Sequence, residues 1–156
     1  MISRCDNMNK NNIFYENAKI KRLESLAEQD VEGRADIIIT KKNKELVCFI
    51  YDKMMDKVKK KMPDSLKISL KLTTFFKKIN GRYEEKDVNE ATIHEKRLEQ
   101  TKDKTWLYDI TGQIVDLNEE DIVIDCGVYL HIQNRNYGFE VGDWITAYGR
   151  MDIHII

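Results

Sequence analysis

No run of residues in this chain approaches the ~18 to 20 apolar positions that a membrane-spanning helix needs. The opening stretch, MISRCDNMNKNN, lacks the apolar segment of a signal peptide, so the expected location is the cytoplasm, with no membrane partner. Cysteine is scarce. Cys5, Cys48 and Cys126 are odd in number, far apart and without a CxxC pair, which excludes a disulfide frame or zinc knuckle and implies reduced thiols. The phosphate-binding and nucleophile signatures GxxxxGK[ST], GxGxxG and GxSxG are absent. His94, His131 and His154 are scattered, with no HxH or HExxH pair to hold a metal. DLNEED, from Asp116, alternates oxygen ligands but has neither the central glycine nor the closing glutamate of a calcium loop, and reads as a solvated turn. Cys126 lies near His131 in sequence, yet a cysteine beside glycine in an apolar strand is ordinarily a small buried residue. The expectation is a protein that is not an enzyme and needs no cofactor or metal.

What is present is a globular composition. Hydrophobic residues make up 42% and charged residues 34% of 156, enough for one domain or two very small ones. The formal net charge of -1 conceals an asymmetry. Residues 1–105 hold 24 Lys and Arg against 18 Asp and Glu, an excess of +6, while residues 106–156 hold 2 against 9, an excess of -7. The stretch from Lys41 to Lys86 alone carries 14 against 6, or +8. Such a split suits two halves that attract each other, or modules with different partners.

Hydrophobic periodicity outlines the elements. Ile13, Ile20, Leu23, Leu26 and Ala27 recur at helical spacing, which predicts a helix from Ile13 to about Gln29. RADIIIT (34–40) and ELVCFIY (45–51) read as a hairpin, and Asp52 can cap a helix over 53–62 that Pro63 stops. Leu66, Ile68, Leu70 and Leu72 alternate with Lys67, Ser69, Lys71 and Thr73, a half-buried strand. Asn80-Gly81 marks a turn, and Thr92 with Glu95 has the spacing of a capping box, which predicts a helix over 91–100. From Trp106 the pattern is β: 106–117 with Gly112 inside it, 122–125, 128–133, and a final strand led in by Val141-Gly142-Asp143.

The run ITGQIVDLNEEDIVIDCGVYLHIQ, followed by FEVGDWITAYGRMDIHI, resembles the OB-fold (oligonucleotide/oligosaccharide-binding) superfamily in its strand spacing, its internal Gly112 and its VGDWITAYGRM strand. The resemblance covers residues 109–155 and implies a small β-barrel that binds nucleic acid. Four strands fit this region, so a fifth has to come from the first half, or the barrel is of another small type. Gly33 and Gly112 are 79 residues apart, as are Asp64 and Asp143, which raises the alternative of two related barrels. The expected fold class is strand-dominated α+β: a tail and helix over 1–32, a basic ββαβ segment over 33–105, and an acidic OB-like region over 106–156.

The candidate site follows from alternation. If Val128, Leu130 and Ile132 point inward, Tyr129, His131 and Gln133 point out; if Ile145, Ala147 and Gly149 point inward, Trp144, Tyr148 and Arg150 point out. Aromatics with a guanidinium on one sheet face suit the stacking of single-stranded bases, with Lys67 and Lys71 supplying charge. Against this, the local charge of -7 repels phosphate. Tyr and Trp serve protein interfaces equally well, which leaves a second expectation: an assembly subunit whose aromatic face is buried in an oligomer.

Overall fold

The computed structural model of the chain describes residues 14–25, 32–51, 54, 58–60, 64–74, 78–79, 82–83, 87–101 and 105–156. Its strands are β1 (Glu16–Ser25), β2 (Glu32–Ile39), β3 (Lys44–Tyr51), β4 (Leu66–Thr74), β5 (Lys78–Ile79), β6 (Arg82–Tyr83), β7 (Val88–Glu90), β8 (Arg97–Gln100), β9 (Leu107–Leu117), β10 (Asp121–Asp125), β11 (Tyr129–Gln133) and β12 (Trp144–Ile155). The protein is strand-dominated, and no helix among the described residues is long and apolar enough to cross a membrane. Two compact units divide the chain: Met1–Leu70 with Asp152–Ile156, and Lys71–Met151. β4 and β12 each contribute residues to both.

In the first unit β1, β2 and β3 form an antiparallel meander. β1 also pairs with β4, and β3 runs parallel to β12 at Phe49 and Asp152. β12 pairs in turn with β4, so the circuit β12–β3–β2–β1–β4 closes on itself, and the Ile156 amide donates to the Lys67 carbonyl at 3.0 Å. Period-two patterning aims one side of every strand inward. Ala18 and Ile20, Ala35, Ile37 and Ile39, Leu46, Cys48 and Ile50, and Leu66, Ile68 and Leu70 are all buried. Each buried isoleucine or leucine contributes about 1.5–3 kcal/mol of transfer free energy. Cys48 is a free thiol that burial, with Asp152 and Asp36 nearby, pushes well above the ordinary range, so it stays protonated and inert.

Residues 16–25 are a strand where helical spacing suggested a helix. The cause is a bulge. β1 pairs Ile20 with Ile37 and Leu23 with Ala35, and the register shifts between Ile20 and Arg22, leaving Lys21 as the extra residue. One inserted residue puts Ile20 and Leu23, three apart, on the same side of a strand. The strand is then held on both edges by β2 and β4. Of the helix expected over 53–62, residues 54 and 58–60 are helical, Val58 is buried, and the remainder lies outside the described residues. Ile13 and the stretch 26–29 of the first predicted helix also lie outside them, as do Asn80 and Gly81 of the predicted turn, which falls between the paired β5 and β6.

The second unit repeats the meander with β9, β10 and β11. β12 pairs with β9 and with the short β7, β11 lies beside β4, and β4 pairs with β12. β4, from the first half of the sequence, thus contributes a strand beside the C-terminal ones. Tyr108, Ile110 and Ile114, Ile122 and Ile124, Leu130 and Ile132, and Ile145 and Met151 fill the interior. Gly112 and Gly149 sit where backbones touch: a Cβ on Gly149 would lie 2.3 Å from the Thr73 carbonyl oxygen, and one on Gly112 2.8 Å from that of Asp125. The predicted helix over 91–100 is replaced at Arg97–Gln100 by β8, which pairs with β9. Too few apolar residues recur there to form a helical stripe, whereas Leu98 and Gln100, two apart, are half-buried in an edge strand. Of the two pairs at the 79-residue spacing, Asp64 and Asp143 each precede the strand that follows a meander, whereas Gly33 lies in β2, the second strand of its meander, and Gly112 in β9, the first of its own.

Candidate functional site

β12 sorts its side chains by parity. Ile145, Ala147, Gly149 and Met151 are buried, while Trp144, Thr146, Tyr148 and Arg150 are half-buried on the opposite face. Residues directly opposite in an antiparallel pair share a face, so the register extends this surface across the sheet of the second unit. One row runs Tyr129–Asp125–Gln113–Trp144, from β11 through β10 and β9 to β12. A second runs Glu99–Asp109–Tyr148, and a third Arg97–Thr111–Thr146–Asn89. Arg150 stands opposite Leu107.

The aromatics are held in place. The Trp144 indole stacks on the His94 imidazole, with centroids 5.4 Å apart and planes 5° from parallel. The Trp144 carbonyl accepts from the Ala91 amide at 2.8 Å, which anchors the segment that presents His94. Gln113 Nε2 donates to the Gly142 carbonyl at 3.0 Å, and Thr146 Oγ1 to the Ile110 carbonyl at 3.0 Å. Much of the charge on this face is paired locally. Lys96 Nζ donates to Asp125 Oδ2 at 2.8 Å, and that carboxylate raises the lysine's pKa, so Lys96 remains cationic. Arg97 donates through Nε (2.6 Å) and a terminal nitrogen to Glu99.

Four of the residues expected at the site, Tyr129, Trp144, Tyr148 and Arg150, thus share one sheet face. His131 does not join them at the surface. It is buried, with Nδ1 2.8 Å from Asp121 Oδ2, and Val123 opposite it is buried as well. Alternation gives the side of the sheet on which a residue lies but not what covers that side. Lys71 is exposed on β4 in the second unit and has no ion-pair partner among the described residues. Lys67 belongs to the first unit, exposed, with Nζ 4.3 Å from the centre of the Tyr15 ring.

Sequence reasoning missed His94, Gln113, Asp109 and Asp125, which only the register brings beside the aromatics. It also missed the buried Asp87, on which three donors from distant segments converge: Thr74 Oγ1, the Tyr137 hydroxyl, and Arg135 Nη1 at 2.9 Å. Burial disfavours the charged carboxylate, but these hydrogen bonds and the guanidinium outweigh it, and the Asp87 pKa lies below its ordinary value. Burial, together with the same carboxylate, pushes the Tyr137 phenol upward. Nothing in the local sequence marks this junction.

No protein-family model and no curated protein matches the chain.

Proposed function

We propose that the chain is a non-catalytic, single-stranded nucleic-acid-binding protein of OB-like architecture, with Tyr129, Trp144, Tyr148 and Arg150 as its base-stacking face. The observation that carries the reading is the collection of three half-exposed aromatics and a guanidinium on one face of a rigid sheet. Base–aromatic stacking is worth ~1–3 kcal/mol per base and tolerates any sequence. The architecture is supported by five mutually paired strands in the second unit, matching the strand number of an OB barrel. Because Glu99, Asp109 and Asp125 occupy the same rows, binding here would be led by stacking rather than by phosphate neutralisation.

The test is fluorescence anisotropy of labelled single-stranded DNA and RNA at ~50 and ~200 mM salt, the range over which electrostatic binding weakens most visibly. Trp144→Ala is expected to weaken binding about tenfold, the equivalent of ~1.4 kcal/mol of lost stacking. Absence of wild-type binding at the lower salt would sink the proposal.

A second reading, a protein-assembly surface, is favoured by a specific observation. Trp, Tyr and Arg are the residues that dominate interface energetics. In the same unit Ile93 and Val141, three residues or fewer from Ala91 and Trp144, are 66% and 61% exposed. A mass that rises with concentration in sedimentation, with Trp emission shifting on dilution, would select this reading.

A further inference from the structure

We infer that the first unit carries a phosphate-contacting site of its own, in which Lys19 on β1, Lys67 over the Tyr15 ring and Lys41 on the adjoining turn engage the backbone of a single nucleic-acid strand. This inference rests on the nucleic-acid reading above but not on the aromatic face of the second unit. Its geometry comes from the start of β1. Asn17 stands opposite Lys67 of β4, and Lys19 stands opposite Ile38 of β2. Thr40 donates to the Asn17 carbonyl twice, from its amide at 3.0 Å and its hydroxyl at 3.1 Å, which ties the turn carrying Lys41 against β1. Lys67 is already oriented over the Tyr15 ring. The three lysines are exposed, and Tyr15 is half-exposed.

Three carboxylates of this unit are engaged elsewhere. Glu16 is buried and bound by Lys42 at 2.5 Å, Asp36 is paired with Arg34 at 3.0 Å, and Glu45 is paired with Lys21. Lys19, Lys41 and Lys67 have no ion-pair partner among the described residues. Three exposed ammonium groups on adjoining segments, one of them over an aromatic ring, form a site for a polyanion that also offers a ring to stack on. The charge balance agrees: the first unit holds 15 Lys and Arg against 12 Asp and Glu, the second 11 against 15. Phosphate neutralisation therefore has its place in the first unit, where the acidic rows of the second unit supply little.

The test measures the dependence of affinity on salt for labelled oligo(dT) and oligo(U), in wild type, Lys19→Glu/Lys67→Glu, Tyr15→Ala and Trp144→Ala, each checked for folding by circular dichroism. Each phosphate contact contributes ~0.7 to the slope of log affinity against log salt for single strands. The double lysine variant is expected to lower the slope by about 1.4, while Trp144→Ala lowers affinity at unchanged slope. Lys19→Gln/Lys67→Gln, a milder change, is expected to give a smaller affinity loss with a comparable slope. A double variant with wild-type slope and affinity overturns this site, whatever Trp144→Ala does. A reduced slope alongside an inert Trp144→Ala supports this site and removes the aromatic face. Wild-type binding to vesicles containing phosphatidylserine, with none to oligonucleotides, overturns the inference in favour of a membrane surface.

Discussion

At Gly149 a single hydrogen atom stands where any other residue has a carbon, because the Thr73 carbonyl oxygen occupies that space. The obstacle is backbone, which cannot rotate away. Gly149→Ala should cost about 1–3 kcal/mol of overpacking strain, read as a lower urea midpoint, and Gly112→Ala should behave similarly against Asp125. Asp87 gives a second residue-scale expectation, with a definite sign. Its folded pKa lies below 3.8, so its contribution to stability is complete well above that value and is lost as pH falls through the folded pKa. Asp87→Asn should lower stability at neutral pH and flatten the acid limb of a stability–pH profile below about pH 4. An Asp87→Asn limb as steep as that of wild type would show that other carboxylates govern acid unfolding.

At the scale of elements, β1 shows what a pattern reading can and cannot extract. Period-two alternation made β2, β4 and β12 legible, because buried residues recur at every second position there, and the short apolar runs of β3 and β10 were legible as strands that bury both sides. β1 was hidden by one extra residue, and β8 by an accidental Thr92–Glu95 spacing that no helix follows. The bulge makes a prediction of its own. Removing Lys21 leaves Ile20 and Leu23 on their present side, because the flanking register becomes one-to-one. Removing Lys19 instead shifts Ala18 out of step with Ile20 and turns part of the strand inside out. Deletion of Lys21 should therefore be the milder of the two in urea denaturation, its chief cost being the exposed Lys21–Glu45 pair, worth about 0–1 kcal/mol. At the candidate site, parity alone put Trp144, Tyr148 and Arg150 together. It could not foresee the burial of His131 or the assignment of Lys67 to a different unit, since both depend on what the tertiary fold brings alongside.

At the scale of the whole molecule, β4 and β12 are each divided between the units, at Leu70/Lys71 and at Met151/Asp152, so neither strand can be removed without depriving both units of a strand. Thermal unfolding followed by Trp fluorescence and by far-ultraviolet circular dichroism should therefore give coincident transitions. Gly149→Ala, though it lies in the second unit, should displace both probes together. Two separated transitions would mean that each unit retains its structure without the other.

The division of β12 also bears on the order in which the protein can be made. β1, β2, β3 and β4 leave the ribosome before β12, so the edge of β3 that faces away from β2 has no partner until Asp152 arrives. Through most of synthesis the nascent chain therefore displays an open strand edge, the kind of template that invites unwanted pairing with neighbouring chains. The module that comes first in sequence is the last to be sealed, and a ribosome stalled in the turn before Trp144 would hold a chain with neither circuit complete.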